Sequence, residues 1–174
     1  MRELVVGGVR SGKSRHGEAR ARSAGGRVTY IATATAGDAE MAARIAMHRQ
    51  QRPDAWHLVE EPLALGEVLA QRAGESEVLL VDCLALWVSN LLHAGEAQWM
   101  DERARLLEVL PVLPGRIILI SNEVGMGIVP ANALARRFAD ELGWLNQAVA
   151  ALCERVTMMA AGLPLVVKSE ASGL

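Results

Sequence analysis

The chain has 174 residues, two cysteines and a formal charge of −2, with 51% apolar and 22% charged residues. That is the length of one domain able to bury a substantial core, and the balance excludes a generic nucleic-acid binder, which carries a basic excess. Cys83 and Cys153 lack C-x-x-C spacing, which excludes a disulfide framework or thiolate zinc site and fits a reducing cytoplasm; the apolar stretches are too short for a signal peptide or a membrane span.

In chain order, Leu4–Val6 reads as a strand, and a helix runs from the following glycine-rich stretch toward Ser23, ended by Ala24-Gly25-Gly26. Val28–Ala32 is a β-branched second strand. Asp38 is placed to cap a helix that continues to Gln51 and stops at Arg52-Pro53. Trp56–Val59 reads as a short strand, Pro62–Ala73 as a helix with proline in its first turn, and Glu77–Asp82 as a continuous apolar strand ending in a carboxylate. Helices over Leu84–His93 and Gln98–Leu110 follow, then a strand over Arg116–Ser121, a glycine-rich loop over Glu123–Pro130 and a long helix over Ala131–Leu152. Val156–Ala160 and Leu165–Lys168 close the pattern. Strands alternating with helices imply an α/β fold, a mostly parallel sheet with helices on both faces, and unbroken apolar strands imply burial on both sides. Residues 1–168 are expected to form a single α/β domain, with 169–174 a loose tail.

In such sheets ligands bind beyond the carboxyl ends of the strands. Gly7-Gly8-Val9-Arg10-Ser11-Gly12-Lys13-Ser14 lies at the first of these ends and matches G-x-x-x-x-G-K-[ST], the phosphate-binding P-loop, so residues 1–168 are expected to form a nucleotide-binding domain of the P-loop NTPase type. Glycines let backbone N–H groups turn inward on phosphate oxygens, Lys13 adds a point charge for the β- and γ-phosphates, and the Ser14 hydroxyl is a ligand for Mg²⁺. The helix that follows presents its positive end to the same anion. Asp82 ends a hydrophobic strand, the place of a second Mg²⁺-holding carboxylate in P-loop proteins; the competing reading is an N-cap for the Leu84 helix. Arg44, His48 and Arg52 recur at four-residue spacing on one helical face, an anion-handling stripe. Neighbouring cations favour the neutral imidazole that attacks phosphorus, but Met41, Ile45 and His48 also share a face, so His48 at the edge of the core is the alternative. His16 reads as structural, His57 and His93 as surface or structural, and Trp56, Trp87, Trp99 and Trp144 as core by default.

The P-loop, Tyr30-Ile31-Ala32-Thr33, Asp38–Ile45, His48, Arg52-Pro53 and Ser121–Pro130 occur together and in one order. In this the chain resembles the bifunctional adenosylcobinamide kinase / adenosylcobinamide-phosphate guanylyltransferase family of cobalamin biosynthesis, from residue 1 to about 168. The Asn-Glu-Val-Gly-Met-Gly-Ile-Val-Pro block and the Met-Ala-Ala-Arg-Ile segment at 41–45 are far more specific to it than the P-loop. The resemblance implies two reactions: ATP or GTP phosphorylates the terminal alcohol of adenosylcobinamide, then GTP donates GMP through a histidine to the new phosphate, releasing pyrophosphate. His48 takes the place of that histidine, and Met47 stands where some members carry a second one. The resemblance further implies nucleotide contacts from Gly7, Gly8, Val9, Arg10, Ser11, Gly12, Lys13 and Ser14, from Ala32, Thr33 and Ala34, from Arg49, Gln50, Gln51 and Arg52, and from Glu60 and Asp82. Asp82 stands where the family often has glutamate. Mg²⁺ on Ser14 and Asp82, a cytoplasmic location and a homo-oligomer, in the family a trimer, are implied likewise.

Two other readings fit part of the pattern. A small-molecule P-loop kinase without guanylyl transfer explains the P-loop and Asp82 but not the His48 stripe. A nucleotide-dependent switch would carry an N-K-x-D guanine motif, which the chain lacks, and a D-x-x-G pattern at the carboxylate strand, where Asp82-Cys83-Leu84-Ala85 stands instead.

Overall fold

A computed structural model of the chain describes residues 1–35 and 55–169. The expected Asp38–Gln51 helix therefore lies outside the described residues. The elements are β1 (Arg2–Gly7), α1 (Lys13–Ser23), β2 (Arg27–Ala32), β3 (His57–Glu60), α2 (Leu65–Arg72), β4 (Glu77–Asp82), α3 (Leu84–Ala94), α4 (Glu96–Val109), a short 3-10 turn (Leu110–Val112), β5 (Arg116–Asn122), α5 (Ala133–Leu152), β6 (Arg155–Ala160) and β7 (Leu163–Ser169).

The strands form one sheet in the order β3-β2-β4-β5-β1-β6-β7, and every pair is parallel except β6–β7. The crossover through α1 runs toward the β3 edge, whereas those through α2, through α3 and α4, and through α5 run the other way. Right-handed crossovers therefore put α1 on one face and α2 to α5 on the other. This is the expected α/β arrangement, and double coverage explains why Val78–Val81 and Ile117–Ile120 are buried without alternation. Helix α1 lies close to the sheet because Gly17 has no side chain: a Cβ there would stand 2.9 Å from Ile120 Cδ1 and 3.2 Å from Leu80 Cδ1. On the other face Trp87 and Trp99 are buried and meet edge to face at 5.9 Å.

Several boundaries differ from the sequence expectation for local reasons. Helix α2 begins at Leu65 rather than Pro62, because Glu61 Oε1 first accepts from the N–H groups of Leu63 and Ala64, each at 2.8 Å. Helix α5 begins at Ala133, where the Asn132 side chain accepts from Leu134 N and Ala135 N. Strand β7 reaches Ser169, one residue into the expected tail, because its antiparallel pairing with β6 runs to Arg155; residues 170–174 lie outside the described residues. Trp144, expected in the core, is 57% exposed: it falls on the side of α5 opposite Leu142, Leu145 and Val149, which face inward.

Candidate functional site

Strand β1 delivers Gly7 to the carboxyl edge between Asn122 of β5 and Met159 of β6. Gly7 fits only as glycine, since a Cβ would stand 2.5 Å from Met159 O and 2.9 Å from Ser11 Oγ. The loop then turns through left-handed backbone at Arg10 (φ 54°) and Gly12 (φ 95°), and Gly12 starts α1 with no side-chain cap. That leaves the helix's first N–H groups free for an anion. The Lys13 ammonium bridges the loop, donating to Gly8 O at 2.6 Å, and Ser14 follows it half-buried on the first turn of α1. Burial lowers the Lys13 pKa from its ordinary range, opposed by the nearby Cys83 and Asp82.

A contact not foreseen from sequence closes the loop from the far side. In the β6–β7 hairpin turn, Ala161 and Gly162 both have positive φ, and Gly162 N donates to Ser11 O at 3.0 Å. A two-residue loop with positive φ at both positions is a type I′ hairpin turn, but alanine is not a usual residue for its first position, and nothing local says that the hairpin reaches the P-loop.

Along the same edge, Ala32 stands in register with Asp82 on one side and Glu60 on the other. The Asp82 carboxylate is half-buried and accepts from the Tyr30 hydroxyl through Oδ2 at 2.8 Å. It does not cap α3, whose N-cap is Cys83 without a side-chain hydrogen bond, so the capping alternative is set aside. Tyr30 is the second residue that the sequence reading missed as part of the site. It belongs to the same strand-end block as Ala32, yet its role depends on pairing with β4. Thr33 is fully engaged within the chain. Its hydroxyl donates to Cys83 O at 2.8 Å and accepts from Cys83 N at 2.9 Å, its N–H reaches Asp82 O, and its carbonyl accepts from Asn90 Nδ2. It ties the ends of β2 and β4 together. Ala34 follows half-buried, and Glu60 is exposed at the end of β3.

The geometry thus gathers Gly7, Gly8, Val9, Arg10, Ser11, Gly12, Lys13 and Ser14 into one cradle, with Asp82 near enough to act on Lys13. Ala32, Thr33, Ala34 and Glu60 sit farther along the edge: β3 is four strands from β1, roughly 19 Å at ordinary strand spacing. His48, Arg49, Gln50, Gln51 and Arg52 lie outside the described residues.

For Mg²⁺ the donor set fits. Ser14 and Asp82 offer hard oxygens, and magnesium at nucleotide sites is held by one or two protein oxygens with phosphates and water completing the shell. Among the described residues no group of three or more His, Cys, Asp or Glu forms a ready-made metal cage. The cysteines have other surroundings: burial pushes the Cys83 and Cys153 thiols up to about 12, as inert core groups. His16 is half-buried on α1 with Nε2 unpartnered, and burial lowers its pKa, in keeping with a structural place. His57 is exposed on β3. No helix among the described residues is long and apolar enough to cross a membrane.

Residues 3–167 match the family model described as cobinamide kinase / cobinamide phosphate guanyltransferase. The chain belongs to this family. Membership makes it a bifunctional transferase of cobalamin biosynthesis, which absorbs the P-loop at the edge and excludes a pure binding module. Among curated relatives, it is 56% identical to the bifunctional adenosylcobalamin biosynthesis protein CobP of Pseudomonas aeruginosa, over 98% of this chain and 99% of that one. It is 40% identical to the corresponding protein CobU of Escherichia coli, over 95% and 98%. Among solved structures, a Pyrococcus horikoshii protein of project PH0250 aligns at TM-score 0.52 and 11% identity, over 98% of this chain and 87% of that one. The type III secretion ATPase EscN of enteropathogenic E. coli aligns at TM-score 0.55 and 12% identity, over 92% of this chain and 43% of that one. At such identities these two carry the fold alone.

Proposed function

We propose that this chain performs both family reactions at the carboxyl edge of its sheet, with the P-loop holding the donor and His48 carrying GMP between them. The observation behind the phosphate end is the buried Lys13 ammonium laid across the Gly8 carbonyl, beside uncapped helix N–H groups and Asp82. In the kinase step the terminal alcohol of adenosylcobinamide attacks the γ-phosphorus of ATP or GTP, and the bond to the β-phosphate oxygen breaks. Lys13 and the loop N–H groups stabilise the charge that develops on the phosphoryl oxygens. Ser14 and Asp82 would hold Mg²⁺, which when bound would supply positive charge to offset that of the phosphates. In the transfer step a neutral His48 nitrogen attacks the α-phosphorus of GTP and pyrophosphate leaves. A phosphate oxygen of adenosylcobinamide phosphate then attacks the same phosphorus, the P–N bond breaks, and adenosylcobinamide-GDP forms. A covalent histidine divides one difficult displacement into two easier ones.

The base end of the nucleotide is assigned to Ala32–Ala34, Glu60 and the Arg49-Gln50-Gln51-Arg52 segment, on the family resemblance. Residues 1–168 act as one domain, in the cytoplasm, as a homo-oligomer and in the family's manner a trimer. The experiment is a His48→Ala variant assayed for each step separately. Guanylyl transfer should be lost and phosphorylation of cobinamide partly kept; undiminished GMP transfer would sink the proposal.

A further inference from the structure

A pocket of about 240 Å³ opens between α3 and α5, lined by Ser89, Leu92, His93, Asn132, Leu134 and Phe138 among others. Its position follows from two hydrogen bonds. Asn146 of α5 is level with the end of β5, since its side chain bonds Ser121 Oγ and Asn122 O. Phe138 precedes Asn146 by two helical turns, roughly 12 Å along the axis and past the sheet's carboxyl edge. Asn90, next to Ser89, bonds Thr33 O at the same edge. The pocket therefore stands beyond the edge on which the P-loop sits.

One segment joins the two. Glu123 N donates to Gly7 O at the base of the P-loop, and the chain then runs to Asn132 at the pocket. Along the way Met126, Ile128 and Val129 are 76%, 97% and 76% exposed, and Leu134 beyond it is 50% exposed. Large apolar groups clustered in solvent mark a surface with a partner. His93 adds a polar handle: its Nδ1 lies 2.7 Å from Ser89 O. A carbonyl only accepts, so Nδ1 carries the proton and Nε2 of the neutral ring is an acceptor.

We propose that this pocket and the apolar 126–129 segment seat the corrin macrocycle of the acceptor, with its alcohol arm directed along the segment to the P-loop. The inference rests on the function proposed above. The chemistry matches: the acceptor is a broad ring bearing methyl groups and amides, its reacting hydroxyl is on a side arm, and it exceeds the pocket, which takes one edge of it. Leu92, Leu134 and Phe138 meet the methyl-bearing rim, and His93 Nε2 accepts from a peripheral amide N–H.

The test fills the pocket with Ala135→Trp, a half-exposed position on its α5 wall, and deepens it with Phe138→Ala. Steady-state kinase kinetics give KM for cobinamide and for ATP, equilibrium dialysis of cobinamide by its visible absorbance gives Kd, and light scattering gives the mass. Ala135→Trp is expected to raise the cobinamide KM and Kd about tenfold, which is about 1.4 kcal/mol, with ATP KM, kcat and mass unchanged. Phe138→Ala is expected to weaken cobinamide binding in the same direction. An unchanged cobinamide Kd in both variants, or an ATP KM that rises in step, overturns the assignment. A changed mass also overturns it and gives the pocket to a second copy of the chain. If wild-type protein phosphorylates no cobinamide, the proposed function fails, and dialysis still decides the pocket.

Discussion

Gly7 and Gly8 are adjacent in the P-loop but stand in opposite surroundings, and the contrast gives a sharp test of its packing. A Cβ on Gly7 would lie 2.5 Å from Met159 O and 2.9 Å from Ser11 Oγ, whereas one on Gly8 meets nothing within 4 Å. Relieving the first contact requires β1 and β6 to separate by close to 1 Å, because the obstructing atom is backbone in a paired strand. Overpacking of this kind costs about 1–3 kcal/mol, and each kcal/mol lowers Tm by roughly 2–4 °C at this length. Gly7→Ala without nucleotide should therefore melt roughly 2–12 °C below wild type, and it should bind nucleotide poorly because Ser11 and Gly12 move with the loop. Gly8→Ala should melt within a degree or two of wild type. Thermal unfolding by circular dichroism, with and without nucleotide, checks both. Equal melting of Gly7→Ala and wild type, or equal damage at Gly8, would refute the packing argument.

Tyr30→Phe removes the hydroxyl bound to Asp82 Oδ2. Because Asp82 is only half-buried and water can replace the donor, the loss should be about 1 kcal/mol and the Mg²⁺ half-saturation of the kinase step should rise; an unchanged half-saturation would count against Asp82 as a magnesium ligand. Lys13→Met removes a charge whose pKa burial lowers. Below that folded pKa the ammonium is protonated in both states and its desolvation opposes folding, so the variant should melt at or above wild type while its stabilisation by nucleotide disappears. A clear drop in Tm would show that the bond to Gly8 O outweighs desolvation. The two thiols are raised from 9.0 to about 12. Above pH 9 the unfolded chain has released protons that the native state retains, so stability is fully present below pH 9 and is lost up to about pH 12, by at most about 1.4 kcal/mol per pH unit for each thiol. Denaturant titrations of wild type and a Cys83→Ala/Cys153→Ala variant over that window check this; parallel slopes would rule the thiols out.

Most of the fold is legible in the sequence because its strands announce themselves twice, as apolar runs and as punctuation between helical patterns. Leu79–Val81 and Ile117–Ile120 could only be strands buried on both faces, and so they are. The P-loop is legible because its chemistry dictates its spacing. What the sequence withholds is pairing. Tyr30 and Asp82 are 52 residues apart and meet only because β2 lies beside β4. Gly162 meets Ser11 only because β6 folds back beside β1. Thr33, read as a nucleotide contact, has its polar groups occupied by Asp82, Cys83 and Asn90, a commitment no local pattern reveals. Trp144 looked like core because tryptophans usually are; the helical phase set by Leu142, Leu145 and Val149 leaves it outside. The resemblance, not spacing, singled out His48, and the residues around it fall outside the described structure.

Covalent labelling with GTP radioactive at its α-phosphate tests most directly whether GMP travels on His48. Wild-type protein should retain label that is stable to base and labile to acid, as a phosphoramidate is, and should release it on adding cobinamide phosphate. His48→Ala should retain none. Label of the same chemical stability on the His48→Ala protein, or rapid GMP transfer by a wild-type enzyme that never becomes labelled, would contradict the account.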